Sequence, residues 1–343
     1  MLKATGILKW LASLIALFLI LTFSLFIGPV KIPYMNIIRI VEEQIFPWSN
    51  AFPRSGVEWE IVVLLREPEI IGALIVGSTL AVGGAVVQSV FRNPITEPYI
   101  IGVSSGAALG AVIALDLGIM IAGLYTLPLF AFMFSVVTVM VVYMSSFRKG
   151  RVPLTYLLLT GIAISLFVSS IVAYVIYSNL RLQSSIYFWL MGSLSQLTWT
   201  DITILLSVNF LSMFASALYW KEMDSLQLGE EYAASVGVNV ERTKLALIML
   251  VTFSTSVSVS FTGLIGFVGL IVPHMARIIF GGSNRVAIAG SAIIGAIFLM
   301  ICEDIANVVI SQEVLPIGII TGMIGAPFFI YLLTRISRGA YAA

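Results

Sequence analysis

A single histidine, a single cysteine and six lysines set narrow limits on the chemistry open to this 343-residue chain. One cysteine, Cys302, excludes an intrachain disulfide, and His274 alone cannot build a conventional His/Cys zinc cluster or an HExxH pair. His274 follows Pro273 in a glycine-bounded stretch and reads as a local hydrogen-bonding group rather than a ligand or base. None of the six lysines follows a glycine, so the GK[ST] ending of a phosphate-binding loop is missing. Any ATP hydrolysis that drives this protein, with its Mg, is therefore expected on a partner subunit; the chain itself is expected to bind no cofactor and no metal. A proton-coupled carrier or membrane enzyme would place ionisable groups deep in the bilayer. Glu303 and Asp304 stand instead about 18 residues, roughly 27 Å, into an apolar segment, close to the far interface of a core about 30 Å thick. Asp116 and Asp201 sit at segment ends, and Glu97 near the opposite surface.

The elements that carry these residues follow from composition. Hydrophobic residues make up 59% and charged residues 10% of the chain, against roughly a quarter charged in a soluble domain. No dense Lys/Arg tract offers itself to nucleic acid. About 20 apolar residues cross a bilayer as a helix. The sequence predicts one polytopic domain over 1–343, an all-α integral membrane protein with ten transmembrane helices at roughly 8–28, 66–91, 95–115, 119–146, 153–178, 201–220, 243–262, 266–281, 286–308 and 314–335. The first is read as a retained helix, because it is too long for a signal-peptide core and no small-x-small site follows. Trp48, Trp59, Tyr187, Trp189 and Trp199 in the breaks suit a membrane interface.

Ten crossings with both termini cytoplasmic separate the charges. One side collects Lys3, Lys9, Arg92, Arg148, Lys149, Arg151, Lys221, Arg242, Lys244, Arg277, Arg285, Arg335 and Arg338, 13 of the 18 basic residues. It takes 6 of the 17 acidic ones. Its net charge is 13 − 6 = +7, against 5 − 11 = −6 opposite, as the positive-inside rule expects. Small residues spaced by four, at Gly77/Ala81/Ala85, Gly102/Gly106/Gly110 and Gly318/Gly322/Ala326, mark faces where helices can approach closely.

Five stretches are more specific. Residues 88–110 read QSVFRNPITEPYIIGVSSGAALG, 189–195 WLMGSLS, 228–238 LGEEYAASVGV, 263–277 GLIGFVGLIVPHMAR and 315–328 LPIGIITGMIGAPF. From about residue 60 to the end, in order and spacing, the chain resembles the FecCD-type permeases of ABC importers for iron–siderophores, haem and cobalamin. The resemblance implies a type II importer permease in the prokaryotic cytoplasmic membrane, working as a homodimer. Two ATPase subunits would bind on the cytoplasmic side and a substrate-binding protein outside. Iron–siderophore is the first substrate expected, then cobalamin or haem, with molybdate as an oxyanion alternative. A secondary transporter driven by an ion gradient is the reading from a different class; it needs a mid-membrane carboxylate or an ion-binding broken helix, and the sequence offers neither.

The resemblance also assigns residues. Leu228, Gly229, Glu230, Glu231, Ala233, Ala234, Val236 and Gly237 fall in the loop that touches the ATPase, as a short helix bounded by the two glycines. Asn93, Pro94 and Ile95 fall at a cytoplasmic gate, with Pro153 and Leu154 as a second gate element. Relatives carry a basic pair in an RxPR-like motif before the second span and another Arg after the ninth, which meet the binding protein. Here Arg66 is kept, Glu69 replaces the second Arg and Asn307 stands at the third position. That departure predicts a partner presenting a basic side chain to Glu69 and a carboxylate to Arg66.

The missing phosphate loop makes a direct prediction. The purified chain alone is expected to show no saturable ATP turnover in a phosphate-release assay; measurable turnover contradicts the reading.

Overall fold

The computed structural model describes residues 4–340 apart from 47, 49–51, 149, 180 and 311–313, and leaves the side chains of 4–5, 332–333 and 335–340 undescribed. Lys3 and Lys149, counted above with the basic side, lie outside the described residues. Among those described there is no strand, only one isolated bridge between Arg148 and Arg151.

Fifteen α-helices follow one another: α1 (Ala4–Ser24), α2 (Tyr34–Ile45), α3 (Val57–Glu60), α4 (Glu67–Phe91), α5 (Val103–Asp116), α6 (Thr126–Ser146), α7 (Leu154–Ser178), α8 (Gln183–Leu190), α9 (Trp199–Leu218), α10 (Trp220–Leu228), α11 (Glu230–Ser235), α12 (Val240–Thr262), α13 (Val268–Phe280), α14 (Asn284–Val309) and α15 (Ile317–Ala340). A π-helical turn, Ile61–Arg66, joins α3 to α4. Seven helical segments are long and apolar enough to cross a membrane; the three shorter apolar helices are α5, α13 and the described part of α15. Each of the ten segments predicted from hydropathy therefore falls on a helix.

α4 is the spine. It is buried along almost its whole length, with Ile70–Ala81 in one apolar cluster and Val82–Phe91 in a second. Its small residues permit this. A Cβ on Gly77 would collide with the carbonyl oxygen of Gly295 in α14, and one on Gly84 with Gly269 in α13. Gly106 and Gly110 of α5 meet the carbonyls of Phe134 and Phe130 in α6 in the same way. Gly322 has no such neighbour, so the stripes are not uniformly packing faces within one chain. α1 lies outermost, packed on α14 and α13, and turns Leu11, Phe18 and Leu19 outward, as a lipid-facing helix can.

Hydrogen bonds sort the helix termini into two ends. At one, Lys9 donates to the last-turn carbonyl of Ile279 (2.7 Å) and Trp10 stacks on Phe280. Also there, Asp224 accepts from the backbone N–H of Asn284 at the start of α14 (2.8 Å). At the other, Ser24 donates to Asp304 (2.7 Å), Arg66 to the carbonyl of Leu25 (2.8 Å), and the Trp199 indole to the carbonyl of Val63 (2.8 Å). The first end holds residues assigned to the basic side of the sequence, the second those assigned to the acidic side.

Close backbone contact between α4 and α14 makes Gly77 the position least able to accept bulk. Gly77→Leu is expected to cost roughly 3 kcal/mol, the upper part of the usual overpacking range. Thermal unfolding in detergent checks this, and an unchanged midpoint counts against the packing.

Candidate translocation and coupling site

Four of the quoted motifs meet in one place. Between α12 and α13 the chain leaves the helix through 263–267, with Gly263 at φ 69° and Phe267 at φ 68°. α13 has 13 residues, about 20 Å at 1.5 Å per residue, so this break lies within the bundle. Non-helical backbone at that depth must be satisfied by protein. Ser193 donates its backbone N–H to Thr262 (2.8 Å), while Ile317 and Gly318 donate theirs to Gly192 and Met191 (3.0 Å each). The Tyr99 hydroxyl donates to the carbonyl of Ile265 (2.9 Å) and accepts from its N–H (3.3 Å). Only glycine allows the approach: a Cβ on Gly263 would strike the carbonyl of Trp189, and one on Gly318 that of Met191. The sequence offered no broken helix. The structure has one: Tyr99 closes both backbone groups of Ile265, and Gly263 donates its N–H to the carbonyl of Val259 (2.8 Å).

Beside this break is a cavity of about 690 Å³ between α5 and α7. Its wall is mostly apolar, with the hydroxyl-bearing Ser104, Ser105, Ser165 and Ser169 and one charged residue, Glu97. Ser105 donates to the carbonyl of Gly102 and to Ser165, both at 3.2 Å. Ile95, one of the expected gate residues, also lines it. Residues 102–106 spell G-x-S-x-G, the pattern of a hydrolase nucleophile elbow. That elbow needs a strand before its helix, and here a 3₁₀ turn, Pro98–Ile101, leads through Gly102 into α5.

At the basic end a groove of about 880 Å³ brings the expected coupling residues to the second gate element. Pro153 and Leu154 face Leu228, Gly229, Glu230, Glu231 and Ala234 across it. Gly229 (φ 128°) and Gly237 (φ 89°) bound the short helix α11 as expected. Of the two adjacent alanines Ala233 is fully buried, while Leu228, Ala234 and Val236 are exposed, joined by Tyr232, which the sequence reading passed over. Asn93 and Pro94 open instead on a smaller polar pocket with Gln88, His274 and Arg277, about 310 Å³. The Asn93 carboxamide accepts from the N–H of Ile95 (3.1 Å), fixing the turn. Arg92, in the left-handed region at φ 52°, borders both groove and pocket. The two expected gate elements are thus not in one cavity, and Arg92 is the residue common to both.

Lys244 was read only as one basic residue among many. It is buried, 1% exposed, and its ammonium donates to Glu241 (2.7 Å), Glu230 (3.3 Å) and the carbonyl of Val152 (3.0 Å). Glu241 in turn accepts from the N–H of Val152 (3.0 Å). The available signal was the i,i+3 spacing of Glu241 and Lys244. A second network docks α10: Asp224 holds Asn284 and Ser283, and Arg277 donates to Ser89 (3.0 Å) and Asn284 (2.9 Å).

The residues expected to dock a binding protein are placed otherwise. Arg66, Glu69 and Asn307 are all buried, at 4%, 8% and 6% exposure. Arg66 spends its guanidinium on the carbonyls of Leu25 (2.8 Å) and Val30 (2.9 Å) and lies against Gly28. The Asn307 carboxamide donates to Glu69 (3.3 Å). Arg66 is thus engaged by the 25–30 turn and Glu69 by α14, while Asn307 borders a cavity between that turn and α14.

The model of the FecCD transport family matches residues 15–335. The chain belongs to that family. Among relatives, the cobalamin import system permease BtuC of Halobacterium salinarum is 39% identical over 274 residues, covering 80% of this chain and 73% of its own. The hemin transport system permease HmuU of Yersinia pestis is 34% identical over 281 residues, covering 81% and 84%. A solved inward-facing metal-chelate type ABC transporter superposes with a TM-score of 0.82 at 28% identity, over 95% of this chain and 98% of that one. This FecCD-family chain is therefore a multi-pass permease subunit of the cytoplasmic membrane, and ATP hydrolysis belongs to a separate subunit. Such permeases work with ATPase and substrate-binding partners.

Burial at Glu69 makes its substitution a test of folding. Glu69→Arg forces a longer side chain into a closed site beside Asn307 and is expected to destabilise the fold by roughly 1–3 kcal/mol, as overpacking does, with Glu69→Gln far milder. Detergent unfolding midpoints of the two variants decide it, and equal midpoints contradict the burial.

Proposed function

We propose that two copies of this permease form the inward pathway for a metal chelate, each copy crossing the membrane ten times with both termini in the cytoplasm. The observation that carries the reading is continuity. The exposed segment 228–236, which contains α11, shares a groove with the first residues of α7, and α7 then forms one wall of the 690 Å³ cavity. Apolar surface at Leu228, Tyr232 and Val236 (69%, 47% and 54% exposed), on and flanking a short cytoplasmic helix, suits a groove on the ATPase subunit. Asn93, Pro94, Ile95, Pro153 and Leu154 act as the cytoplasmic gate.

The cavity wall supports a substrate class. Apolar side chains, serine hydroxyls and one carboxylate residue suit a bulky chelate with a mixed apolar and polar surface. A small oxyanion such as molybdate would meet Glu97 with like charge and find no basic side chain there. Cobalamin, haem and iron–siderophores fit; the residues here do not separate them. At the outer end, Arg66 can serve a binding protein only by way of a rearrangement of the 25–30 turn, and otherwise holds that turn in place.

Proteoliposomes with the ATPase subunit and binding protein test the reading by ATP-dependent uptake of cyanocobalamin, haemin, ferrichrome and molybdate, one at a time. Uptake of a chelate and not of molybdate is expected. Ala234→Trp is expected to cut uptake about tenfold or more, as a loss of about 1.4 kcal/mol in docking would. Gly229 is a poorer probe, because any side chain strains its φ of 128°. Full uptake by Ala234→Trp removes α11 from the mechanism.

A further inference from the structure

We propose that Lys244 is the transmission residue of the permease, the one side chain through which displacement of the coupling helix reaches the gate. This rests on the coupling and gating roles given above and adds how they are joined. Lys244 on α12 touches three elements at once: α11 through Glu230, its own helix through Glu241, and the segment before α7 through the carbonyl of Val152. An ammonium has three N–H donors, and here three acceptors take them. At 1% exposure the ammonium of Lys244 has almost no contact with water, so when Glu230 shifts it must follow or go without that acceptor. Val152 is held from both sides, its N–H by Glu241 and its carbonyl by Lys244. The next residue, Pro153, has a fixed φ of −65° and no N–H, and α7 begins directly after it. Motion of Val152 is therefore passed into α7, whose Ser165 and Ser169 line the cavity.

Stability alone does not account for the arrangement. A buried ion pair contributes little net stability compared with apolar packing. Glu230 and Glu241, 35% and 30% exposed, can turn to water if the lysine is lost, so Lys244→Met is expected to fold and assemble.

The experiment uses the reconstituted complex of permease and ATPase, with a single reporter, Thr155→Cys, in the first turn of α7. Cys302 is fully buried and serves as the silent background. Maleimide labelling of the reporter is timed with and without ATP plus vanadate. In the otherwise native chain the two rates are expected to differ about tenfold, within the usual range of coupling between sites. Lys244→Met is expected to erase the difference while ATP hydrolysis continues, and Lys244→Arg to restore it. A merely structural lysine would change expression or melting but leave the surviving complexes responsive to nucleotide. A nucleotide response that persists in Lys244→Met overturns the proposal. Should that variant fail to assemble, Glu230→Gln decides in the same way: a diminished response supports the proposal and an undiminished one overturns it. If the native complex itself shows no response at residue 155, the gating role fails and this inference falls with it.

Discussion

A backbone N–H or C=O left without a partner in hydrocarbon costs several kcal/mol, and the shape of this permease follows from meeting that demand where the helices stop. The segment 263–267 interrupts the helical run inside the bundle and turns its polar backbone toward protein. The Tyr99 hydroxyl serves both N–H and carbonyl of Ile265, and the neighbouring stretches 191–193 and 317–318 exchange backbone hydrogen bonds with each other and with Thr262. Such proximity excludes side chains at the contact points, which explains the glycines at 192, 263 and 318. Tyr99 belongs to the turn that opens α5, so closing the break also fixes one border of the cavity.

Helix packing obeys a related constraint. Lipid gives apolar side chains no reason to leave it for one another, so association depends on close van der Waals contact. α4 obtains that contact by bringing its backbone onto α14 at Gly77–Gly295 and onto α13 at Gly84–Gly269. The outermost helix, α1, carries large side chains instead and is held at its two ends by polar contacts, Lys9 to Ile279 and Ser24 to Asp304. A rigid inner set and an outer helix fastened at its ends are compatible with motion of α7, which is far less buried than α4.

At the basic end, charge is organised into two separate buried networks. One, around Lys244, joins α11, α12 and the start of α7; the other, around Asp224 and Arg277, fixes α10 to α4 and α14. The short cytoplasmic helices therefore stand on two different supports. α10 is anchored to the static spine, while α11 is tied to a helix that lines the cavity.

The amino-acid sequence by itself determined the class. Apolar runs of about 20 residues and a charge separation across ten segments are local or additive properties, and each predicted segment falls on a helix. The motifs fixed the family, the turn glycines 229 and 237, and the absence of a phosphate-binding loop. Tertiary structure decided what depends on which distant groups meet. Arg66, Glu69 and Asn307 were assigned to docking by the resemblance alone; in the fold Arg66 is bound to the 25–30 turn and Glu69 to Asn307 of α14, and all three are buried. Ala233 and Ala234 are adjacent and alike, and only packing says that one faces inward and the other out. Lys244 read as one more cytoplasmic cation because its partners at 152 and 230 lie 92 and 14 residues away. Hydropathy records how much each residue avoids water, and says nothing of which distant acceptors a folded chain will bring to a buried charge.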